Sequence, residues 1–279
     1  MTKIAIIGYG FVGKAMEKGF SKKTNILLID PLLNSTIEDL KNFDPEFIFV
    51  CLPTPMNSDG SQSNRIMVEV FDELNRINNK AIIILKSTLT PSSLMELEKR
   101  CERLVYNPEF LREKTYAEDF KNSPFIILGG TKKDNKEVMN LYENHSICKT
   151  LNFLEMDSKS ASLIKYTINS FLASKVIFFN QIKDVFNSSS IEIDWDYFID
   201  CISNDTRIGN SHMMVPGPDG KNGFGGACFP KDLSALINYA EEIGVDLSLL
   251  KNVKKINSKL RKKYEFDHRE IEQNITYDN

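Results

Sequence analysis

The first half of the chain alternates short, uniformly apolar runs with amphipathic stretches. Ile4–Ile7, Ile26–Ile29, Phe47–Cys51, Ile82–Leu85, Leu104–Tyr106 and Phe125–Leu128 are rich in Ile, Val, Leu and Phe and lack polar alternation. Strands covered on both faces read this way, because neither side of the pleat meets water. Between them the spacing predicts helices over Val12–Phe20, Ile66–Ile77 and Pro91–Arg100. Such strand-helix alternation predicts an α/β domain with a Rossmann-like, doubly wound parallel sheet.

The pattern changes near residue 156. Asp157 and Ser158 are suited to cap a helix, and apolar residues then recur at helical spacing through Ile182. Further helices are predicted over Trp195–Ile202, Pro230–Ile243 and Leu247–Lys262. The expected organisation is a sheet domain over 1–156, a mostly helical domain over 157–264, and a polar, frayed tail over 265–279. The seven Lys or Arg residues of Lys251–Lys263 read as a solvated helix face.

Composition narrows the function classes. A chain of 279 residues accommodates about two domains and a core that needs no disulfide or metal staple. A net charge of −3 argues against a nucleic-acid partner. No apolar run approaches the ~20 residues of a membrane helix. The N-terminus enters a strand at once, which leaves no room for a signal peptide. The five cysteines form no C-x-x-C pair and the three histidines are scattered, so neither a disulfide framework nor a metal site is expected. A reduced, cytoplasmic setting follows.

Gly8-Tyr9-Gly10-Phe11-Val12-Gly13 follows the first strand and opens the first helix. In such a G-x-G-x-x-G turn the first glycine permits the bend and the second admits a pyrophosphate. The third lets the helix pack on the sheet. Asp30 ends the next strand 22 residues after Gly8, where a carboxylate accepts from a ribose 2′-OH and repels a 2′-phosphate. NAD is therefore the expected cofactor. The alternatives are FAD, or a glycine-rich turn with no ligand.

Gly223-Phe-Gly-Gly-Ala-Cys228-Phe-Pro-Lys-Asp232 places a cysteine just before a helix whose first turn holds Pro230. A thiol there is a candidate nucleophile, because the helix N-terminus favours thiolate. A buried structural cysteine is the alternative. Lys165 and Asn169 lie four residues apart on one helix face, within a run of Leu, Ile and Phe. They read either as inward-facing chemistry or as a solvated stripe. Asn107-Pro-Glu109-Phe110-Leu111-Arg112-Glu113 follows a strand, where a doubly wound sheet places its ligand crevice. A surface turn with two solvated carboxylates is the other reading.

Taken in order, these segments resemble the UDP-glucose/GDP-mannose 6-dehydrogenase family. The resemblance also takes in Leu52-Pro-Thr-Pro55, Asp59-Gly60, Lys86-Ser-Thr88 and Arg207-Ile-Gly209, so it runs through nearly the whole chain. It implies oxidation of a sugar-nucleotide primary alcohol to a carboxylate with two NAD⁺. Cys228 matches the nucleophile that forms a thiohemiacetal and then a thioester. Lys165 and Asn169 match the groups that stabilise the oxyanion. Asp232 matches an aspartate that orients water and Lys165, Glu109 a glutamate acting through that water, and Thr88 a threonine near the reacting centre. Thr54, Thr88 and Glu113 fall where the family contacts NAD, beside the fingerprint and Asp30. Phe110, Leu111, Arg112 and Glu113 match the loop along the substrate, and Gly223, Phe224, Gly225 and Gly226 the backbone that clasps it. Arg207 matches an arginine from a neighbouring subunit, which implies a homodimer built on the helical domain. A surface ion pair is the alternative for Arg207.

Four features depart from the family pattern. Relatives carry a third, nucleotide-binding domain, whereas only 16 residues follow Lys263. A separate chain supplying that domain is one expectation, and compensation by the longer loop Met214–Asn222 is another. Gln181 stands where glutamate is usual, and Lys114 where glycine is usual. UDP-glucose is the leading substrate expectation, with GDP-mannose and UDP-N-acetylhexosamines as alternatives. An NAD-binding regulatory or assembly protein without turnover, and a simple two-electron alcohol dehydrogenase, are the competing functions.

Overall fold

Two compact units emerge in the computed structural model, which describes residues 1–20, 24–77 and 79–277. The first comprises Met1–Thr54 with Ser63–Lys165, the second Pro55–Gln62 with Tyr166–Asn279.

The first unit holds a seven-stranded sheet. Its strands are β1 (Thr2–Ile7), β2 (Thr24–Ile29), β3 (Phe47–Val50), β4 (Ile82–Leu85), β5 (Leu104–Tyr106), β6 (Ile126–Gly129) and β7 (Phe153–Met156). They lie in the order β2-β1-β3-β4-β5-β6-β7. The helices are α1 (Phe11–Phe20), α2 (Leu40–Phe43), α3 (Arg65–Arg76), α4 (Pro91–Glu98), α5 (Tyr116–Lys121) and α6 (Lys132–His145). Successive strand residues point to opposite faces. Ala5, Ile7, Ile48, Val50, Ile83 and Leu85 accordingly pack with Phe71 and Leu94 of α3 and α4. Ile4, Ile6, Phe47, Phe49, Ile82 and Ile84 pack with Met16, Phe120 and Tyr142 of α1, α5 and α6. This double cover is why the strands read as uninterrupted apolar runs.

The sheet is not wholly parallel. β5 and β6 pair antiparallel through Tyr106 and Gly129, so β6 and β7 run against the rest. β7 escaped the sequence reading because it is a half-exposed edge strand containing Glu155. Helices α5 and α6 were also missed, since their polar residues dilute the apolar period.

The boundary between the units falls at Lys165, not at 156, inside helix α7 (Ser158–Ser188). The change in sequence pattern marks where α7 begins, but its first turns pack on the sheet unit. Ala161 joins that core, and Ser162 Oγ donates to Leu89 O at 2.6 Å.

The second unit continues with α8 (Trp195–Ser203), α9 (Phe229–Glu242), α10 (Ser248–Arg261) and α11 (His268–Glu272). The tail expected to be frayed is ordered through Tyr277, and its last two residues lie outside the described ones. Asp267 caps α11, while Ile275 and Tyr277 bury against Met56. The basic run is not uniformly solvated either. Arg261 is 1% exposed and pairs with Glu270 and Asp219. No helix among the described residues is long and apolar enough to cross a membrane.

Candidate active site

The chain leaves β1, passes to β2 on one side, and returns to β3 on the other. The glycine turn thus sits at a topological switch point, where open α/β sheets bind ligands. Each glycine meets a different demand. Gly8 has φ +90°, and a Cβ there would lie 2.6 Å from the Cys51 carbonyl oxygen. A Cβ on Gly13 would lie 2.1 Å from Gly8 O, so helix α1 could not approach the turn. Among the described residues beyond its chain neighbours, no atom lies within 4 Å of such a Cβ on Gly10, which leaves the backbone open to a ligand. Asp30 accepts from Tyr9 N at 2.7 Å and from Leu32 N at 2.9 Å. Its carboxylate is thereby fixed beside the turn, as a ribose acceptor requires. Tyr9 donates to Glu17, which together with burial raises the phenol to about 12 and keeps it protonated.

The next crevice residues converge around Asn107 in the first unit. Asn107 Oδ1 accepts from Lys86 Nζ at 2.8 Å and from Tyr142 OH at 2.7 Å, and Asn107 Nδ2 donates to Ile127 O at 2.8 Å. Burial pushes the Lys86 ammonium down to about 8, partly countered by Cys51 and Glu109. Burial likewise raises the Cys51 thiol to about 12. Two residues beyond Asn107, Glu109 Oε2 accepts from Leu111 N at 2.6 Å, which sets the start of the Phe110–Glu113 loop. Lys165 donates to the Glu109 carbonyl, and its ammonium lies 3.9 Å from Glu109 Oε1 and 4.6 Å from the Phe110 ring centroid. Lys165, Glu109 and Phe110 are thus brought together. Thr54 and Thr88 are buried at the ends of β3 and β4, and Glu113 is half-buried. Arg112 is exposed and held by Asp119 at 2.7 Å.

In the second unit, Asn169 Nδ2 donates to Asp232 Oδ2 at 2.6 Å, and Lys231 Nζ donates to Asp232 Oδ1 at 2.6 Å. Asp232 is 1% exposed, so both carboxylate oxygens are satisfied inside the protein. Cys228 is the half-buried N-cap of α9, and Asp232 N donates to Cys228 O at 2.9 Å. That bond closes the first helical turn and joins the cysteine to the aspartate. Phe224 packs with Leu233 and Ile237, so its side chain belongs to the core of the second unit. Arg207 is exposed and chelated by Asp205, two residues away.

Helix α7 buries polar side chains alongside Ala161, Tyr166, Ala173, Ile177 and Phe179, and leaves large apolar ones outside. Ser158, Ser162, Lys165, Asn169 and Ser170 are buried, whereas Leu163, Phe171, Phe178 and Val185 are exposed. The solvated-stripe reading of Lys165 and Asn169 is therefore wrong. Buried polar groups facing inward need partners, and both residues have them.

Sequence reasoning singled out neither Lys86 nor Lys231 as a site residue. A charge at the C-terminal end of an apolar strand was the available signal for Lys86. Lys231, beside Asp232 in the sequence, offered none.

The matched sequence models agree with this layout. The NAD binding domain of the UDP-glucose/GDP-mannose dehydrogenase family matches residues 32–146, and its central domain matches residues 159–259. This chain belongs to that family. NAD is its cofactor, and the open face of Gly10 with the fixed Asp30 carboxylate fits it. UDP-glucose 6-dehydrogenase of Rickettsia prowazekii is 33% identical over 90% of this chain and 55% of its own length. The chain spans about half the length of the curated relatives it matches first. Among solved structures, a UDP-glucose dehydrogenase from Pyrobaculum islandicum superposes with TM-score 0.76 at 23% identity, over 93% of this chain and 68% of the other. Mycobacterium tuberculosis 3-hydroxyisobutyrate dehydrogenase gives TM-score 0.71 at 17% identity, over 93% of both chains. These two likenesses are of fold, and an enzyme named for a different substrate shares it.

Proposed function

We propose that this chain oxidises the C6 primary alcohol of a nucleotide sugar to a carboxylate in four electrons, with UDP-glucose as the substrate tested first. One observation carries the reading: the inward polar face of α7 presents Lys165 and Asn169, and Asn169 is bonded to Asp232, one helical turn after Cys228. A bland amphipathic helix has no use for a buried lysine and asparagine there. The relatives' names favour UDP-glucose, while GDP-mannose and UDP-N-acetylhexosamines fit the same chemistry.

The Gly8–Gly13 turn, Asp30, Thr54, Thr88 and Glu113 would hold NAD⁺, which when bound supplies a hydride acceptor, one molecule for each of the two oxidations. The alcohol first loses a hydride and a proton to become an aldehyde. Cys228 sulfur then adds to the aldehyde carbon, and the carbonyl electron pair moves to oxygen. The Lys165 ammonium and the Asn169 amide stabilise that oxyanion, as preorganised donors do. Loss of a second hydride from the tetrahedral carbon leaves a thioester on Cys228. Water oriented by Glu109, Thr88 and Asp232 adds to the thioester, the carbon–sulfur bond breaks, and the thiol is restored. The Phe110–Glu113 loop and the backbone of Gly223, Phe224, Gly225 and Gly226 line the sugar nucleotide.

The exposed apolar stripe of α7 is the surface through which two copies would pair, with Arg207 of one copy reaching the site of the other. A patch of this kind on a long helix marks an association site.

The decisive experiment counts NADH. Purified chain with excess NAD⁺ and limiting UDP-glucose is expected to yield about two NADH per sugar by the thioester route. Cys228→Ser is expected to lose the second equivalent. One NADH per sugar with accumulated aldehyde would establish two-electron chemistry instead. NAD binding without turnover across a panel of sugar nucleotides would leave a regulatory or assembly role, or a requirement for a separate nucleotide-binding chain.

A further inference from the structure

The glycines before Cys228 suggest a cradle for a ligand, yet most of their crowding comes from this chain's own side chains. A Cβ on Gly223 would lie 2.5 Å from Asn257 Oδ1. One on Gly225 would lie 2.1 Å from Arg261 Nη2 and 2.3 Å from Glu270 Oε1. Three of the loop's backbone donors are taken by side chains of the same unit. Gly223 N donates to Asn180 Oδ1 at 3.0 Å, Phe224 N to Asn257 Oδ1 at 2.7 Å, and Gly226 N to Glu270 Oε1 at 3.2 Å. Asn257 also donates back to Phe224 O at 2.9 Å.

Glu270 is itself fixed. Arg261 Nη2 donates to its Oε1 at 2.8 Å and Tyr277 OH to the same oxygen at 2.6 Å. Both members of the Arg261–Glu270 pair are 1% exposed. Arg261 Nη1 also donates to Asp219 Oδ2 at 2.7 Å, which ties in the Met214–Asn222 loop.

We propose that Arg261 and Glu270 are positioning residues for Cys228. The proposal rests on the reading of Cys228 as nucleophile. Glu270 holds the peptide plane of Gly226, which has φ +76° and lies two residues before the cysteine. Moving that plane breaks its hydrogen bond to a carboxylate that a buried ion pair holds in place, and a buried charge that loses a hydrogen-bond partner is costly. The segment after α10 therefore sets where the thiol sits at the N-terminus of α9, although it touches no reacting atom.

The test compares the full-length wild-type chain with Arg261→Met/Glu270→Met. Replacing both members with apolar residues removes the buried charges together, an exchange cores often tolerate. Iodoacetamide labelling of Cys228 is followed by peptide mass spectrometry, with exposed Cys201 of the same unit as the reference. The variant is expected to label Cys228 at least about fivefold faster relative to Cys201, because a loosened turn exposes the thiol. Its kcat is expected to fall at least about tenfold while the Kd for NAD stays unchanged, since a mispositioned group loses rate without losing cofactor. A folded variant with labelling within about twofold of wild type overturns the proposal. If the double variant does not fold, Tyr277→Phe removes one donor to Glu270 and leaves the pair buried. A twofold rise in the labelling ratio is then expected, and no rise overturns the proposal. Labelling reads the thiol alone, so it decides the positioning role even if wild-type chain turns over no sugar nucleotide. That last result would sink the functional reading instead.

Discussion

Lys86 donates to Asn107 inside the first unit at 2.8 Å, and both residues are at least 95% buried. Among the described residues no carboxylate lies within ion-pair distance of the ammonium, so its charge is a burden on the fold. Burial lowers its pKa from 10.5 to about 8. Below about pH 8 both folded and unfolded chains are protonated at Lys86, and the folded state bears the full desolvation cost. Between about 8 and 10.5 the unfolded chain binds more protons, so this residue's penalty fades as pH rises. The relief is on the order of 3 kcal/mol. Urea unfolding at pH 7 to 10 is expected to show wild type gaining stability relative to Lys86→Met across that window. Parallel profiles would mean that Lys86 titrates as freely in the fold as in water.

Asp232 satisfies Asn169 and Lys231 at once. Asp232→Ala strips the carboxylate from a buried ammonium, so a loss of about 3–5 kcal/mol is expected. Lys231→Met/Asp232→Leu removes both charges and is expected to lose less. Equal losses in urea denaturation would show that packing, rather than charge pairing, governs this corner.

The two later glycines of the fingerprint separate fold from ligand. Gly13→Ala forces a Cβ to 2.1 Å from a backbone oxygen, and a drop in Tm of several degrees is expected. Gly10→Ala meets no atom within 4 Å among the described residues beyond its chain neighbours, so its Tm should match wild type while the Kd for NAD rises at least about tenfold. Unchanged NAD affinity in Gly10→Ala would move the pyrophosphate away from this turn.

Asp30 governs cofactor choice if its carboxylate meets the ribose. Asp30→Ala is expected to lower the ratio of the NADP and NAD dissociation constants by about tenfold or more, because repulsion of a 2′-phosphate is lost. Fluorescence titration with both cofactors measures it, and an unaltered ratio would count against the contact.

The outward stripe of α7 predicts self-association. Phe171 is 65% and Phe178 56% exposed, one helical heptad apart. Phe171→Glu/Phe178→Glu should convert a dimer into a monomer in light scattering, with the fold retained because neither side chain is in the core. A wild-type chain that is monomeric at tens of micromolar would remove the interface.

Local chemistry determined much of this protein in the sequence alone. Uniform apolar runs announced doubly covered strands, because burial on both faces leaves no polar period. The Gly8–Gly13 turn and Asp30 were legible because each answers a demand of the backbone within one βαβ unit. The segment holding Cys228 was visible for a similar reason, since proline and a cap mark a helix start. Tertiary structure decided which way α7 faces, because its period is the same whichever side is buried. It placed Asn107 between Lys86 and Tyr142, and Asp232 between Asn169 and Lys231, pairings that depend on separate elements folding onto one another. It also turned the polar tail inward. Arg261, Glu270 and Tyr277 look like solvated residues one at a time, and they are buried because together they satisfy one another's charges and the backbone N–H of Gly226.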